Sequence, residues 1–273
     1  MRRWLACAAL ALALPAAAQE RIVTLAPHLA ELVCAVGACA QLAGVAAYTD
    51  APATAAALPR IGDAQGVNPE AVLALRPTRV LAWDGGTPTA TIARLRGLGV
   101  RVDVLRVRSL DDIGPALLHL GDELQRPQAA QQAAQAYNAR LAALRQRYAS
   151  RPRLRAFYQI ESGPAYTVNR DSPISAALTL CGADNVFAQL PTLSAAVSAE
   201  AVLAADPDVV VFTSDENRAA LDAYWLRLGS ARAADPRRRL QVDGTALTRQ
   251  SPRVLDGIAA LCEGLERVRR DAR

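Results

Sequence analysis

Two spacings of apolar residues alternate along most of the chain. Short runs rich in Val, Leu and Ala are followed by segments whose apolar positions recur every three or four residues, the periods of buried strand and of helix. In the first half, RIVTLA (21–26), LAGVAAY (42–48), RVLAW (79–83) and VRVDVLRV (100–107) read as strands. HLAELVCAVG (28–37), NPEAVLAL (68–75) and TPTATIARLRGLG (87–99) read as helices. Gly37 stops the first helix, Asn68 caps the second with Pro69 in its first turn, and Ser109 with Asp112 three residues on starts another. The second half repeats the pattern, with strands at 154–160, 208–212 and 237–243 and helices at 172–182, 198–205 and 251–270. Such alternation predicts an α/β fold with mostly parallel sheets and crossover helices.

Between the halves, RPQAAQQAAQAYNARLAALRQRYAS (126–150) has no glycine, and no proline after Pro127. Ala133, Ala136, Tyr137, Leu141, Leu144 and Tyr148 recur at helical spacing. About 22 helical residues would span roughly 33 Å, a rod whose apolar face rests on both halves. The expected organisation is a signal peptide (1–18), an N-terminal α/β lobe (19–121), one long rigid interlobe helix (122–150) and a C-terminal α/β lobe (151–273), with a ligand cleft between the lobes. The leader reading rests on Arg2 and Arg3, the apolar run from Trp4 to Leu14, and Ala16 to Ala18 after Pro15. That run is too short to span a bilayer, which takes about 20 residues, and an exported, periplasmic product is expected.

One segment occurs twice. Glu70 to Val80 (EAVLALRPTRV) and Glu200 to Val210 (EAVLAADPDVV) match at seven of eleven positions, each with the glutamate second in a short helix. An acid in the first turn meets the partial positive charge there, worth about 0.3–1 kcal/mol. That accounts for either copy alone. The duplication adds a pair of equivalent acidic helix starts, suited to a two-fold symmetric basic partner. Asp63, Asp84 and Asp215 are lesser candidates for that surface.

Composition narrows the chemistry. The formal charge of +5 falls to +3 without Arg2 and Arg3, and every basic residue is arginine, scattered rather than striped with aromatics. That argues against nucleic acid as a partner. Phosphate-loop, dinucleotide, zinc-protease and nucleophile-elbow motifs are absent, and His28 and His119 are the two histidines. No enzymatic activity, cofactor or bound metal is expected. In an oxidising compartment Cys181 and Cys262, both in the second half, are the expected disulfide. Cys34 and Cys39 flank Gly37 and fit either a local bond or two reduced buried thiols.

An exported two-lobe protein without catalytic machinery reads as a ligand carrier, and in open α/β sheets ligands sit beyond the carboxyl ends of the strands. The residues following those ends are Pro27 and His28; Tyr48, Thr49 and Asp50; Trp83, Asp84, Gly85 and Gly86; Tyr166; and Thr245, Leu247 and Arg249. Tyr48, Trp83 and Tyr166 are three of only twelve aromatic residues. Their placement suits a large, flat or apolar ligand.

The segments RIVTLAPHLAELVCAVGA, AYTD, NPEAVLALRPTRVLAWDGG, LCGADNVFAQLPTLSAAVSAEAVLAADPDVVVF and SPRVLDGIAALC resemble the periplasmic vitamin B12 (cobalamin)-binding proteins of ABC importers. These belong to a helical-backbone (class III) substrate-binding protein family that also takes haem and iron-siderophores. The resemblance runs from Arg21 to about Arg267. It implies that Tyr48, Trp83 and Tyr166 line the corrin and that Arg249 hydrogen-bonds its periphery; Gly85, Gly86 and Thr245 follow the strand ends beside them, and His28, new to the pattern, faces the cleft from its helix start as a further contact to the ligand or its metal. It further implies that Glu70 and Glu200 dock onto arginines of a membrane-embedded permease dimer, that Cys181 and Cys262 form the family disulfide, and that the protein is a monomer whose cobalt arrives with its cargo. Ala64 and Ser194 stand where tryptophans are expected and Thr245 where an acid is expected; each lost indole removes about 1–3 kcal/mol of stacking and burial. A haem or siderophore carrier is the alternative within the family. An exported enzyme on a chelatase-like scaffold, with carboxylates converging near His28, or a sensor subunit, are the alternatives outside it.

Overall fold

Each half of the chain folds around its own parallel sheet. In the first, β1 (Ile22–Thr24), α1 (Pro27–Ala35), β2 (Leu42–Val45), α2 (Ala53–Ala56), α3 (Pro69–Ala74), β3 (Arg79–Trp83), α4 (Thr89–Gly97) and β4 (Val102–Leu105) alternate, and α5 (Ile113–Glu123) leads into α6 (Pro127–Tyr148). The second runs β5 (Leu154–Gln159), β6 (Glu161–Ser162), β7 (Ala165–Val168), α7 (Pro173–Leu180), β8 (Ala183–Asn185), β9 (Ser194–Val197), α8 (Ala199–Ala205), β10 (Val209–Thr213), α9 (Arg218–Arg227), β11 (Arg239–Val242), α10 (Gly244–Thr248) and α11 (Val254–Asp271). This computed structural model describes residues 20–271 apart from 64–65, 163–164, 214–217 and 230–231. The expected signal peptide, Ala64 and Asp215 lie outside the described residues. None of the described helices is long and apolar enough to cross a membrane.

The two sheets share one topology. Their orders are β2-β1-β3-β4 and β8-β5-β10-β11, with every neighbouring pair parallel. Counted within each lobe, both read second, first, third, fourth. The repeated sequence is therefore the third strand with the helix that feeds it, α3–β3 in one lobe and α8–β10 in the other. Their caps match the sequence reading. Asn68 Oδ1 accepts from the Glu70 and Ala71 amides at 3.0 and 3.2 Å, and Ser198 Oγ from the Ala201 amide at 3.2 Å.

Each sheet packs its outer face against its own helices: Val23, Val80 and Ala82 on Val72 and Ile92 in the first lobe, Phe157, Val210 and Phe212 on Val202 and Leu221 in the second. The inner faces join in one continuous apolar cluster running from Ile22 and Leu29 through α6 to Leu261 and Leu265. The buried stripe of α6 is Ala130, Ala134, Tyr137, Leu141, Leu144 and Tyr148, steps of four and three that keep one face inward. Ala133 and Ala136 were expected on that face; Ala133 is half-buried and Ala136 exposed. Alanine alone is too small and too common here to mark a helix face. Arg145 pairs with Asp111 of the first lobe and Arg140 with Asp256 of the second, both at 2.7 Å.

Sequence reading missed the antiparallel β6-β7-β9 sheet, together with β8 and α10. β9 is SAAV and β8 is ADN, short and poor in branched residues. Long-range pairing alone makes them strands. Cys34 bonds Cys39 and Cys181 bonds Cys262. The second bond joins α11 to the end of α7 across 81 residues of chain. Replacing Cys181 and Cys262 together with alanine should lower unfolding stability by about 2–4 kcal/mol, read by urea titration with and without reductant. An undiminished midpoint would show that packing alone holds α11.

Candidate functional site

In each sheet the first strand lies between the second and third, so the chain leaves β1 toward one edge for β2 and then crosses to the other side for β3. The crevice beyond β1 and β3 is the topological switch point, where ligands of open α/β sheets bind. His28 follows β1 and Trp83 ends β3. Their rings meet edge to face, with centroids 5.0 Å apart and planes at 85°. Both line a cavity of about 470 Å³, together with Ala46, Ala47 and Tyr48 beyond β2, Asp63, Gly86 and Thr87 of the first lobe, and Thr248 and Arg249 of the second. That volume lies within the usual range of ligand sites, about 300–1,000 Å³.

Local chemistry fixes the Trp83 ring. Its amide donates to Thr87 Oγ1 at 3.0 Å, and the Thr87 amide returns to the Trp83 carbonyl at 3.0 Å. Gly85 turns the chain at φ 101°, and a Cβ on Gly86 would stand 1.8 Å from Trp83 Cε3. The glycine pair therefore lets the indole lie back over its own turn. Trp83 Nε1 and His28 Nε2 are both buried without a hydrogen-bond partner among the described residues. Unpaired buried nitrogens are costly and call for an explanation; here two of them share one ligand-sized crevice. His28 is 5% exposed. Burial, followed by the positive charge of Arg249, lowers its pKa to about 3, so the imidazole is neutral. No three His, Cys, Asp or Glu side chains converge as a metal site among the described residues.

The expected site residues separate into two groups. His28, Tyr48, Trp83, Gly86 and Arg249 come together at the crevice. Gly85, Tyr166 and Thr245 are not in its lining. Gly85 faces a neighbouring hollow with Pro88, Thr89 and Ile92 behind the Trp83 turn. Tyr166 lies on β7 with alternating neighbours Ala165 and Thr167 buried, which puts its ring on the exposed face of the antiparallel sheet. Thr245 is half-buried in the first turn of α10, and Thr248, three residues on, takes the lining position. Ser194 is exposed on β9.

Arg249 does more than border the crevice. Its Nη2 donates at 2.9 Å to both the Tyr48 carbonyl and Asp50 Oδ1, crossing from one lobe to the other. Arg253 Nη1 reaches Asp50 Oδ2 at 2.8 Å, and Ser251 donates its hydroxyl to the buried Glu31. Glu31, Ser251 and Arg253 were not anticipated. The available signal was Glu31 itself, a lone charge inside the otherwise apolar helix HLAELVCAVG. Burial raises the Glu31 pKa, only partly offset by the Ser251 hydrogen bond and the two arginines.

Glu70 and Glu200 are exposed at their helix starts, and neither is in an ion pair among the described residues. Asp84, by contrast, pairs with Arg106 and Arg108 at 2.9 Å, and Asp63 accepts from the Gly66 amide. A larger hollow of about 700 Å³ lies between α6 and α7. Of its charged residues Arg145 pairs with Asp111 and Asp184 with Arg153, while Arg170 donates to the Ala188 carbonyl.

The buried imidazole makes a pH prediction. The unfolded chain binds a proton near pH 6.5, the folded one only near 3. This contribution is therefore complete above pH 6.5 and is lost as pH falls toward 3; the raised pKa of Glu31 acts in the opposite sense. Between pH 7 and pH 5 the wild type should lose about 2 kcal/mol more unfolding stability than His28→Leu, measured by urea titration. Equal losses would contradict a neutral buried His28.

The family model described as periplasmic binding protein matches residues 22–223. The vitamin B12-binding protein of Vibrio cholerae serotype O1 is 35% identical over 249 residues, covering 90% of this chain and 89% of that protein. Among solved structures, the periplasmic vitamin B12-binding protein BtuF of Vibrio cholerae superposes with a TM-score of 0.81 at 31% identity, covering 92% of this chain and 98% of that one. A periplasmic haem-binding protein from Pseudomonas aeruginosa is also similar, with a TM-score of 0.78 at 31% identity over 89% and 91% of the two chains. With its paired parallel-sheet lobes and a crevice at the switch point, the chain belongs to the periplasmic binding protein family.

Proposed function

We propose that this protein captures cobalamin in the crevice between its lobes, in the periplasm, and hands it unchanged to an ABC importer. The observation that carries the reading is the His28–Trp83 pair, two ring nitrogens buried without partners beside an exposed Tyr48 and an arginine from the opposite lobe. A corrinoid is a large flattened ring with a rim of neutral amides. Aromatic faces stack on the ring, while an indole N–H and a neutral imidazole pair with amides without charge. The similarity to vitamin B12-binding proteins along nine-tenths of the chain supports the same ligand. The family's role as binding proteins supports carriage without chemistry, and the signal-like leader supports export.

Haem is the second reading, favoured by the Pseudomonas aeruginosa structure and by a neutral imidazole able to ligate iron. One feature weighs against it. Arg249, the arginine lining the crevice, already faces Asp50 and Glu31 and so has little charge to offer two haem carboxylates.

Calorimetry with cyanocobalamin, haem and a ferric siderophore separates these. Cyanocobalamin should bind, and Trp83→Ala or Tyr48→Ala should each weaken it by about 10- to 100-fold, the worth of 1–3 kcal/mol of burial and stacking. A shifted Soret band with haem and no heat with cyanocobalamin would overturn the reading.

For delivery, Glu70 and Glu200 form the docking pair. They occupy equivalent places in the two lobes and are in no ion pair among the described residues, so a two-fold permease with basic pockets could engage both. The double replacement Glu70→Ala/Glu200→Ala should abolish uptake through the cognate importer while leaving cyanocobalamin affinity unchanged. Undiminished uptake would remove the glutamates from the docking surface.

A further inference from the structure

Behind Arg249, which lines the crevice, stands a buried acid to which the binding reading assigns no task. Glu31 lies one helical turn beyond His28 on α1 and is 8% exposed. From the opposite lobe, the Ser251 hydroxyl donates to its Oε2, while Arg253 Nη1 and Arg249 Nε stand 3.5 and 3.8 Å from its Oε1. The same two arginines continue to Asp50, at 2.8 and 2.9 Å, and Arg249 also holds the Tyr48 carbonyl at 2.9 Å. Two guanidiniums thus sit between two carboxylates, one on α1 and one in the segment that carries Tyr48.

That segment needs holding. Tyr48 has φ 61°, the left-handed region, which a residue with a side chain keeps only where its surroundings fix it. Its own lobe fastens the neighbours: Thr49 Oγ1 donates to the Ala46 carbonyl at 2.7 Å, and Arg60 Nη2 to the Thr49 carbonyl at 2.9 Å. The carbonyl of Tyr48 is held from across the lobe boundary, by Arg249. Without the charge on Glu31, two mutually repelling guanidiniums would share Asp50 alone, and Arg249 would lose the partner behind its Nε.

We propose that Glu31 is a positioning residue for ligand recognition: by anchoring Arg249 and Arg253 across the lobe boundary, it holds Tyr48 in the left-handed conformation that presents its ring at the crevice. The inference rests on the crevice being the ligand site and adds to it the device that shapes one wall.

Glu31→Gln keeps the side chain's size and an acceptor for Ser251 while removing the charge. In the ligand-free protein, amide hydrogen exchange over residues 46–50 should accelerate about tenfold, with the rest of the first lobe unchanged and Glu31→Asp restoring protection. Should Glu31→Gln fail to fold, Arg249→Lys, which cannot reach both the Tyr48 carbonyl and Asp50 with a planar fork, should accelerate the same amides. Cyanocobalamin affinity should fall about tenfold in Glu31→Gln and show no further fall when the change is made in Tyr48→Ala. Unchanged exchange over 46–50, or an equal affinity loss in both backgrounds, would overturn the role. Failure of the wild type to bind cyanocobalamin would sink the ligand reading, and the exchange result would then decide by itself whether Glu31 positions Tyr48.

Discussion

The apolar cluster shared by the two lobes is the constraint on which everything else depends. Domains that meet across polar, water-filled interfaces move by default. Here α6 lays a stripe from Ala130 to Tyr148 into packing that includes α1 and α5 on one side and α11 on the other. Opening that seam would expose Tyr137, Leu141 and Tyr148 together. The lobes are therefore held at a set separation, and the crevice between their strand ends is present before any ligand arrives. Recognition must then come from how the walls are built: a Trp83 ring seated over its own glycine turn, an imidazole kept neutral by burial, and a Tyr48 gripped from both lobes.

Charge is arranged to leave that crevice nearly neutral. Arg249 and Arg253 are matched by Asp50 and Glu31, and the imidazole of His28 is uncharged. Asp63, which also lines the crevice, accepts from the Gly66 amide. Glu70 and Glu200, in no ion pair among the described residues, lie on the two copies of one helix–strand unit, at matching places in matching sheets.

Much of this was legible in the order of residues, for physical reasons. Parallel strands buried on both faces are continuous apolar runs, and the caps at Asn68 and Ser198 mark where helices begin, so the four strands of the first sheet, three of the four in the second and the repeat between them could be read directly. The first-lobe wall was legible because the switch-point rule needs only strand ends, which gave His28, Tyr48 and Trp83. The antiparallel sheet was not, because SAAV has no strand preference of its own, and β8, the three-residue ADN at the edge of the second parallel sheet, was missed for the same reason. Glu31 was missed for a different reason. Its partners Ser251 and Arg253 lie some 220 residues away, and nothing local distinguishes a buried glutamate from a solvated one except the apolar company of Ala30, Leu32 and Val33.

The preformed crevice is the central claim, and a distance between the lobes tests it most directly. With spin labels at the exposed positions Arg94 on α4 and Arg227 on α9, pulsed electron resonance should give one distance distribution that is the same in the free and cyanocobalamin-saturated protein, within the roughly 1 Å expected of a pre-organised binder. A second population in the free protein, displaced by several ångströms and collapsing onto the first when the ligand is added, would show that the lobes hinge and that the shared core does not set the site.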